Sequence, residues 1–169
     1  MRCKIMLVFK NFINLSLEEK KEILRQRNSS DVAKFCLKKY ISLDEHLNFI
    51  ESLKNDKTKL YMLVLKEEEM LGVISFSEIK EQEAFFGLYK FSKEKMGNLL
   101  MQAMLDKGFK DLKLKNIKAR VLKQNTKAIK LYEKFGFKTV AEEKEYLIIE
   151  CKTGGGIEYF LTPFVKVAA

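Results

Sequence analysis

Residues Asn125 to Phe137, NTKAIKLYEKFGF, constrain the chain more than any other stretch. Asn125 is a good N-cap, because its short side chain accepts from amides that a first helical turn leaves free. Gly136 suits the left-handed position just past a helix end. Between them Ala128, Leu131, Tyr132 and Phe135 recur at helical spacing and form one apolar face, with Lys127, Lys130 and Lys134 as a basic stripe beside it. An apolar face must be buried, so this helix lies on a sheet and Tyr132 points towards it. A buried phenol needs a polar partner for its hydroxyl. Tyr132 is therefore either an ordinary core tyrosine or a functional acid, since a phenol of pKa about 10 is protonated in neutral solution and can give up its proton to a departing anion.

Two further helix starts are written as capping boxes. Ser16-Leu17-Glu18-Glu19 opens a helix to about Arg27, which Asn28-Ser29-Ser30-Asp31 breaks. Ser42-Leu43-Asp44-Glu45 opens another that carries Leu47, Ile50 and Leu53 and ends near Asn55. Apolar runs read as strands at Met6–Phe12, Leu60–Leu65, Leu71–Phe76, Ala84–Phe91 and Ile117–Leu122, with Lys66 to Glu69 as a charged hairpin tip. Gly87 lies inside the fourth run and suggests a bulge or a close backbone approach. Leu99, Leu100, Ala103, Met104 and Lys107 give a helical face that Gly108 stops. Val140 to Glu150 contains one strand and Ile157–Phe164 another, joined through Gly154-Gly155-Gly156. The order is β-α-α-β-β-β-α-β-α-β-β, a single mixed α/β domain over residues 1–169.

Hydrophobic residues, at 47%, are enough for a sizeable core. The cysteines Cys3, Cys36 and Cys151 are odd in number and lack CxxC spacing, so neither a disulfide framework nor a metal site is expected. The apolar run Ile5 to Phe9 is too short for a secretory segment or a membrane span, so the chain reads as cytoplasmic with no membrane partner. The net charge of +9 favours anionic ligands such as phosphorylated cofactors and nucleotide sugars. The lysines are interleaved with glutamates and form no basic block, so nucleic acid is not an expected partner.

The string N-x-x-A-I-x-x-Y-x-K-x-G-F, met by Asn125, Ala128, Ile129, Tyr132, Lys134, Gly136 and Phe137, resembles the motif that closes the acetyl-CoA site of the GNAT N-acetyltransferase superfamily. The order of elements resembles that fold over essentially the whole chain. The resemblance implies a central, mixed, mostly antiparallel sheet of about seven strands, with strands 4 and 5 splayed and about four flanking helices. It implies acetyl-CoA as co-substrate, no metal, and a pantetheine arm in the gap beside Leu88, Tyr89 and Lys90. A bulge near Gly87 would free an amide for the thioester carbonyl. Asn125 would contact the pantetheine, and Tyr132 would protonate the departing thiolate. The pyrophosphate would sit at the N-terminus of the helix after the fourth strand, where free amides and the helix dipole favour anions. There the family pattern Q/R-x-x-G-x-G/A is only partly kept: aligned on Gly97, the chain reads Ser92-Lys93-Glu94-Lys95-Met96-Gly97. Lys93 and Lys95 compensate in charge, and Lys95, Met96, Gly97, Asn98 and Lys134 are the contacts expected at that end.

Three segments, Arg25-Gln26-Arg27-Asn28, Lys39 to Lys54 and Leu71 to Phe76, look like those of the acetyltransferases of pseudaminic acid biosynthesis. These act on UDP-4-amino-4,6-dideoxy-N-acetyl-β-L-altrosamine, in a route that serves flagellin glycosylation. The implied acceptor is the 4-amino group of that UDP-linked sugar. Arg27 would then contact a nucleotide phosphate or uracil, or else be a surface arginine at a helix end. His46, the only histidine, is a neutral-pH base or phosphate contact, or a capping-turn histidine. Tyr40 and Phe49 stack on uracil or cover the 6-methyl side of the sugar, or else pack helix on sheet. Ser75 touches the reacting amine through water, or is an ordinary strand serine. No carboxylate stands out as a base. Direct attack in a ternary complex is expected, because nothing activates Cys36 for a covalent route. The alternative acceptor is a protein N-terminal amine. A regulatory, non-enzymatic acetyl-CoA binder is disfavoured by the intact Tyr132 and Asn125. A homodimer is the default expectation, since a C-terminal strand such as Ile157–Phe164 can pair across a two-fold axis.

Overall fold

A computed structural model describes residues 5–91, 96–153 and 165–168. The elements run β1 (Ile5–Asn11), α1 (Leu17–Arg27), α2 (Ser30–Ala33), α3 (Leu43–Ser52), β2 (Leu60–Lys66), β3 (Glu69–Lys80) and β4 (Glu83–Lys90). They continue with α4 (Gly97–Asp106), β5 (Asn116–Leu122), α5 (Thr126–Lys134), β6 (Lys138–Glu142), β7 (Tyr146–Lys152) and β8 (Val165–Ala168). The strands form one sheet in the order β6-β7-β5-β4-β3-β2-β1-β8. Neighbours are antiparallel except β4 with β5 and β1 with β8. The mixed, mostly antiparallel α/β fold is the one expected, with eight strands among the described residues instead of about seven.

The caps act as the spacing predicts. At α1 both halves of the capping box form, Glu19 N donating to Ser16 Oγ at 3.1 Å and Ser16 N to Glu19 Oε1 at 2.9 Å. At α3 the Glu45 amide donates to Ser42 Oγ at 3.2 Å, while the Glu45 carboxylate pairs with Lys38. Asn125 Oδ1 accepts from the Ala128 amide at 3.4 Å, and Gly136 ends α5 with φ 92°. Helices cover both faces of the sheet, so each face has its own core. Leu100 and Met104 of α4 and Tyr132 of α5 lie on one face with Phe76, Phe86 and Ile117. Ile23 of α1 and Ile50 of α3 lie on the other with Phe12, Leu63 and Val73.

Three local expectations are corrected. Val140 to Glu150 is not one strand: β6 and β7 form a hairpin closed by Glu143 N donating to Tyr146 O at 2.8 Å. Gly108 does not stop α4, which runs on into a π-helical turn at Lys107–Asp111. A Cβ on Gly108 would lie 2.6 Å from Ile117 Cδ1 and 3.1 Å from Phe76 Cε1, so glycine is needed there for the helix to lie close on the sheet. β3 runs on to Lys80 and returns through Glu81 and Gln82, at φ 49° and 68°, as β2 returns through Glu67 and Glu68, at 48° and 69°. Both are two-residue turns of the hand that suits twisted strands, built without the usual Asn or Gly. The expected strand Ile157–Phe164 falls outside the described residues. No described helix is long and apolar enough to cross a membrane.

Candidate active site

β4 and β5 pair only through Glu83↔Asn116, Ala84↔Ile117 and Phe85↔Lys118. Beyond Phe85, β4 stays on β3, with Lys90 opposite Gly72, and β5 stays on β7, with Leu122 opposite Tyr146. The two strands part, and the peptide groups of Phe86 to Lys90 that point away from β3 face a gap instead of a ladder. A Cβ on Gly72 would lie 2.0 Å from the Tyr89 carbonyl oxygen, so β3 holds this end of β4 closer than any side chain would allow. Leu88 and Tyr89, on opposite faces of β4, join the two different cores, and Lys90 is exposed.

The bulge expected near Gly87 is not there. The β3–β4 register runs unbroken from Gly72↔Lys90 to Ser77↔Phe85 and shifts only between Ser77 and Lys80. The glycine at 87 matters in another way: a Cβ there would lie 2.7 Å from Ser75 Oγ and would push that hydroxyl aside. The β4 edge is freed by the end of its pairing with β5, not by an extra residue.

Tyr132 reaches this region from α5. It is 8% exposed, with its ring edge-on to Phe86 at 5.2 Å and tilted against Phe137 at 6.1 Å. Burial, and then the neighbouring Tyr89 phenol, push the Tyr132 hydroxyl up to about 12. Tyr89 is likewise pushed up to about 12, by burial first and by Cys36 next, with Arg27 drawing it down. Tyr132 comes from one face of the sheet and Tyr89 points to the other. Because both pKa values are raised above the unfolded value near 10, the stability they contribute is intact below pH 10 and is lost as pH rises from there through about 12. Alkaline titration should therefore show phenols that ionise late and together with unfolding, and Tyr132→Phe should remove one of them. Phenolate absorbance followed against circular dichroism checks this; ionisation of every phenol before any loss of structure would contradict it.

On the other face Arg27 is 8% exposed and lies 5.7 Å over the Tyr89 ring. Its Nη2 donates to the Lys38 carbonyl at 2.6 Å, and its buried Nη1 has no hydrogen-bond partner. Next to it Asn28 clamps Ile41 twice, Nδ2 donating to the carbonyl at 2.8 Å and Oδ1 accepting from the amide at 3.0 Å. The Arg27-Asn28 pair thus anchors the loop between α2 and α3, with one guanidinium nitrogen to spare. Tyr40, on that loop, is 68% exposed. Phe49 meets Tyr61 edge-on at 4.9 Å and is a packing residue of the second core. Ser75 is buried, directly opposite Gly87. Cys36 is buried with Sγ 3.4 Å from the Val32 carbonyl.

His46 makes a contact that its spacing did not foretell. It is 6% exposed, and its Nε2 lies 2.8 Å from the Lys20 carbonyl, which only accepts, so that nitrogen carries the proton. Burial holds the ring below its ordinary pKa, so the imidazole is neutral. It ties α3 to α1, and Nε2 is not free to act as a base.

At the far end, α4 starts from Met96 without a side-chain cap. Lys134 Nζ donates to Asn98 Oδ1 at 3.2 Å and so joins the end of α5 to the start of α4. A Cβ on Gly97 would lie 3.2 Å from Leu131 Cδ2, where the helices cross. Lys95 lies outside the described residues. Sequence reasoning missed Tyr61 and Gly72. Gly72 had the same signal as Gly87, a glycine inside a strand; the signal for Tyr61 was a polar tip in an otherwise apolar run.

The acetyltransferase (GNAT) domain family matches residues 12–138. The acetyltransferase PseH of Campylobacter jejuni subsp. jejuni serotype O:23/36 is 38% identical over 142 residues, covering 83% of this chain and 90% of that protein. PseH of serotype O:2 is 38% identical over 145 residues, 85% of this chain and 92% of that one. The crystal structure of Campylobacter jejuni PseH in complex with acetyl coenzyme A has a TM-score of 0.75 at 32% identity, over 87% of this chain and 99% of that one. The spermidine N-acetyltransferase of Vibrio cholerae, in complex with CoA and spermine, shares the fold, with a TM-score of 0.74 at 19% identity over 85% of this chain and 92% of that one. With the family match spanning both the parted strands and the Tyr132 helix, the chain belongs to the GNAT acetyltransferase family.

Proposed function

We propose that this acetyl-CoA-dependent N-acetyltransferase acetylates the 4-amino group of a UDP-linked 4-amino-4,6-dideoxy-N-acetyl-altrosamine, a step towards pseudaminic acid. The observation that carries the acceptor is Arg27 Nη1, a buried cationic donor without a partner. Such a group calls for an oxygen acceptor. A nucleotide brings anionic phosphate oxygens, which a peptide N-terminus lacks. The likeness to PseH over 83% of the chain supports the same acceptor.

The free edge of β4 from Phe86 to Lys90 would hold the amides of the pantetheine arm much as an added strand is held. The uncapped amides at the start of α4, with Asn98 and Lys134 beside them, fit the pyrophosphate. Asn125 spends its oxygen on the Ala128 amide, so it is the side-chain Nδ2 that remains to meet the arm. Ser75 and Gly87 face the side from which the amine would come.

In the transfer the amine nitrogen forms a bond to the acetyl carbon and the carbon–sulfur bond breaks. Tyr132 donates a hydrogen bond to the sulfur as negative charge builds there. Its pKa of about 12 lies above that of a thiol, so giving up the proton alone is uphill. The step completes because the new amide nitrogen sheds a proton of its own. The net movement is one proton from amine to sulfur, with Tyr132 left as it began. No acyl-enzyme is needed, and Cys36 has no part.

Coenzyme A release, followed by thiol titration, tests the acceptor. The UDP-4-amino sugar should be turned over and a panel of N-terminal peptides should not. Turnover of peptides alone would reject this acceptor.

A further inference from the structure

Three strands bring three residues into one row. Tyr61 on β2 is opposite Ser75 on β3, and Ser75 is opposite Gly87 on β4. Directly paired residues share a face of the sheet, and this row lies on the face of the second core. The Ser75 hydroxyl leans over Gly87, where it takes the space of a missing Cβ, at 2.7 Å. Gly87 is just past Phe85, the last β4 residue that pairs with β5, so the hydroxyl sits at the mouth of the gap. Behind it the Tyr61 ring is fixed by two aromatic neighbours, Phe49 at 4.9 Å and 82°, and Phe12 at 5.6 Å and 45°.

A serine hydroxyl rotates freely unless a partner fixes it, and it has one donor and two lone pairs to offer. We propose that Tyr61 is a positioning residue for acetyl transfer: its phenol holds the Ser75 hydroxyl over Gly87, so that a serine lone pair receives an N–H of the incoming amine. This rests on the reading that the amine reaches the thioester at the free edge of β4. Burial raises the Tyr61 pKa, and the bond with Ser75 lowers it by less, so the phenol keeps its proton and has an O–H to offer the Ser75 oxygen. The amine nitrogen then has its own lone pair aimed at the acetyl carbon. Two hydroxyls in a face built from Leu63 and Val73 serve no packing purpose that Phe and Ala would not serve as well.

Tyr61→Phe keeps both ring contacts and removes only the hydroxyl. Expected is a roughly tenfold fall in kcat on the UDP-amino sugar with the KM for acetyl-CoA unchanged. Added to Ser75→Ala it should cost nothing more, because the two act as a unit. A merely structural Tyr61 would lower Tm and leave kcat alone, or would add its loss to that of Ser75→Ala; either result overturns the proposal. If wild type is silent on the sugar, it is the acceptor reading that fails. The same variants are then compared on hydrolysis of acetyl-CoA, where water takes the place of the amine. The same loss without additivity is expected there, and equal rates in wild type and Tyr61→Phe would overturn the role of Tyr61.

Discussion

Tyr132→Phe should lower kcat roughly 10²-fold or more and leave the KM for acetyl-CoA nearly unchanged. The substitution keeps what the ring does, since the edge contact with Phe86 at 5.2 Å and the contact with Phe137 at 6.1 Å involve only carbon. It removes a hydroxyl that burial keeps protonated throughout the neutral range. The loss should therefore be the same across the neutral range, without a limb that titrates in wild type and vanishes in the variant. Steady-state rates at several pH values check this. A variant as fast as wild type throughout would mean that solvent water protonates the thiolate. A raised KM with kcat intact would mean that the hydroxyl only binds the cofactor.

Gly72→Ala should cost about 3 kcal/mol of stability and lower Tm by roughly 6–12 °C. The new Cβ would lie 2.0 Å from the Tyr89 carbonyl oxygen, a backbone atom that moves only if β3 and β4 separate. The displaced end of β4 is the edge that faces the gap, so activity should fall even at temperatures where the variant is folded. Gly97→Ala is the contrast in stability: its Cβ would meet the flexible end of Leu131 at 3.2 Å, and the side chain can give way. Thermal unfolding of both variants checks the difference. Equal, small shifts would show that the strands accommodate a side chain at 72.

The α5 helix was legible because three local signals agree: cap, period and stop all lie within Asn125 to Gly136. The capping boxes were legible for the same reason. The β6–β7 hairpin was not, because the reversal at Glu143, Lys144 and Glu145 has no turn-forming glycine, proline or asparagine. Gly108 looked like a helix stop because the close approach of Ile117 and Phe76 is a tertiary fact. The contact of His46 was hidden likewise: the Lys20 carbonyl that engages it comes from a helix some 26 residues away in the chain. Arg27 was half legible. Its anchoring of the Lys38 carbonyl could not be foreseen from spacing, and its spare nitrogen is visible only once that bond is known.

The parted strands have a thermodynamic side as well. A sheet that stops pairing at Phe85↔Lys118 leaves peptide groups whose partners, on the proposed reading, come with the substrate. A ligand laid along that line acts as a missing piece of secondary structure, and its binding energy is added to the folding energy of the chain. By mass action, saturation at a hundred times the dissociation constant is worth about 2.7 kcal/mol to the folded state. In a cell well supplied with acetyl-CoA the protein would be sturdier than the purified apoprotein. Depletion of the metabolite would slow the enzyme and also shorten its life against proteases.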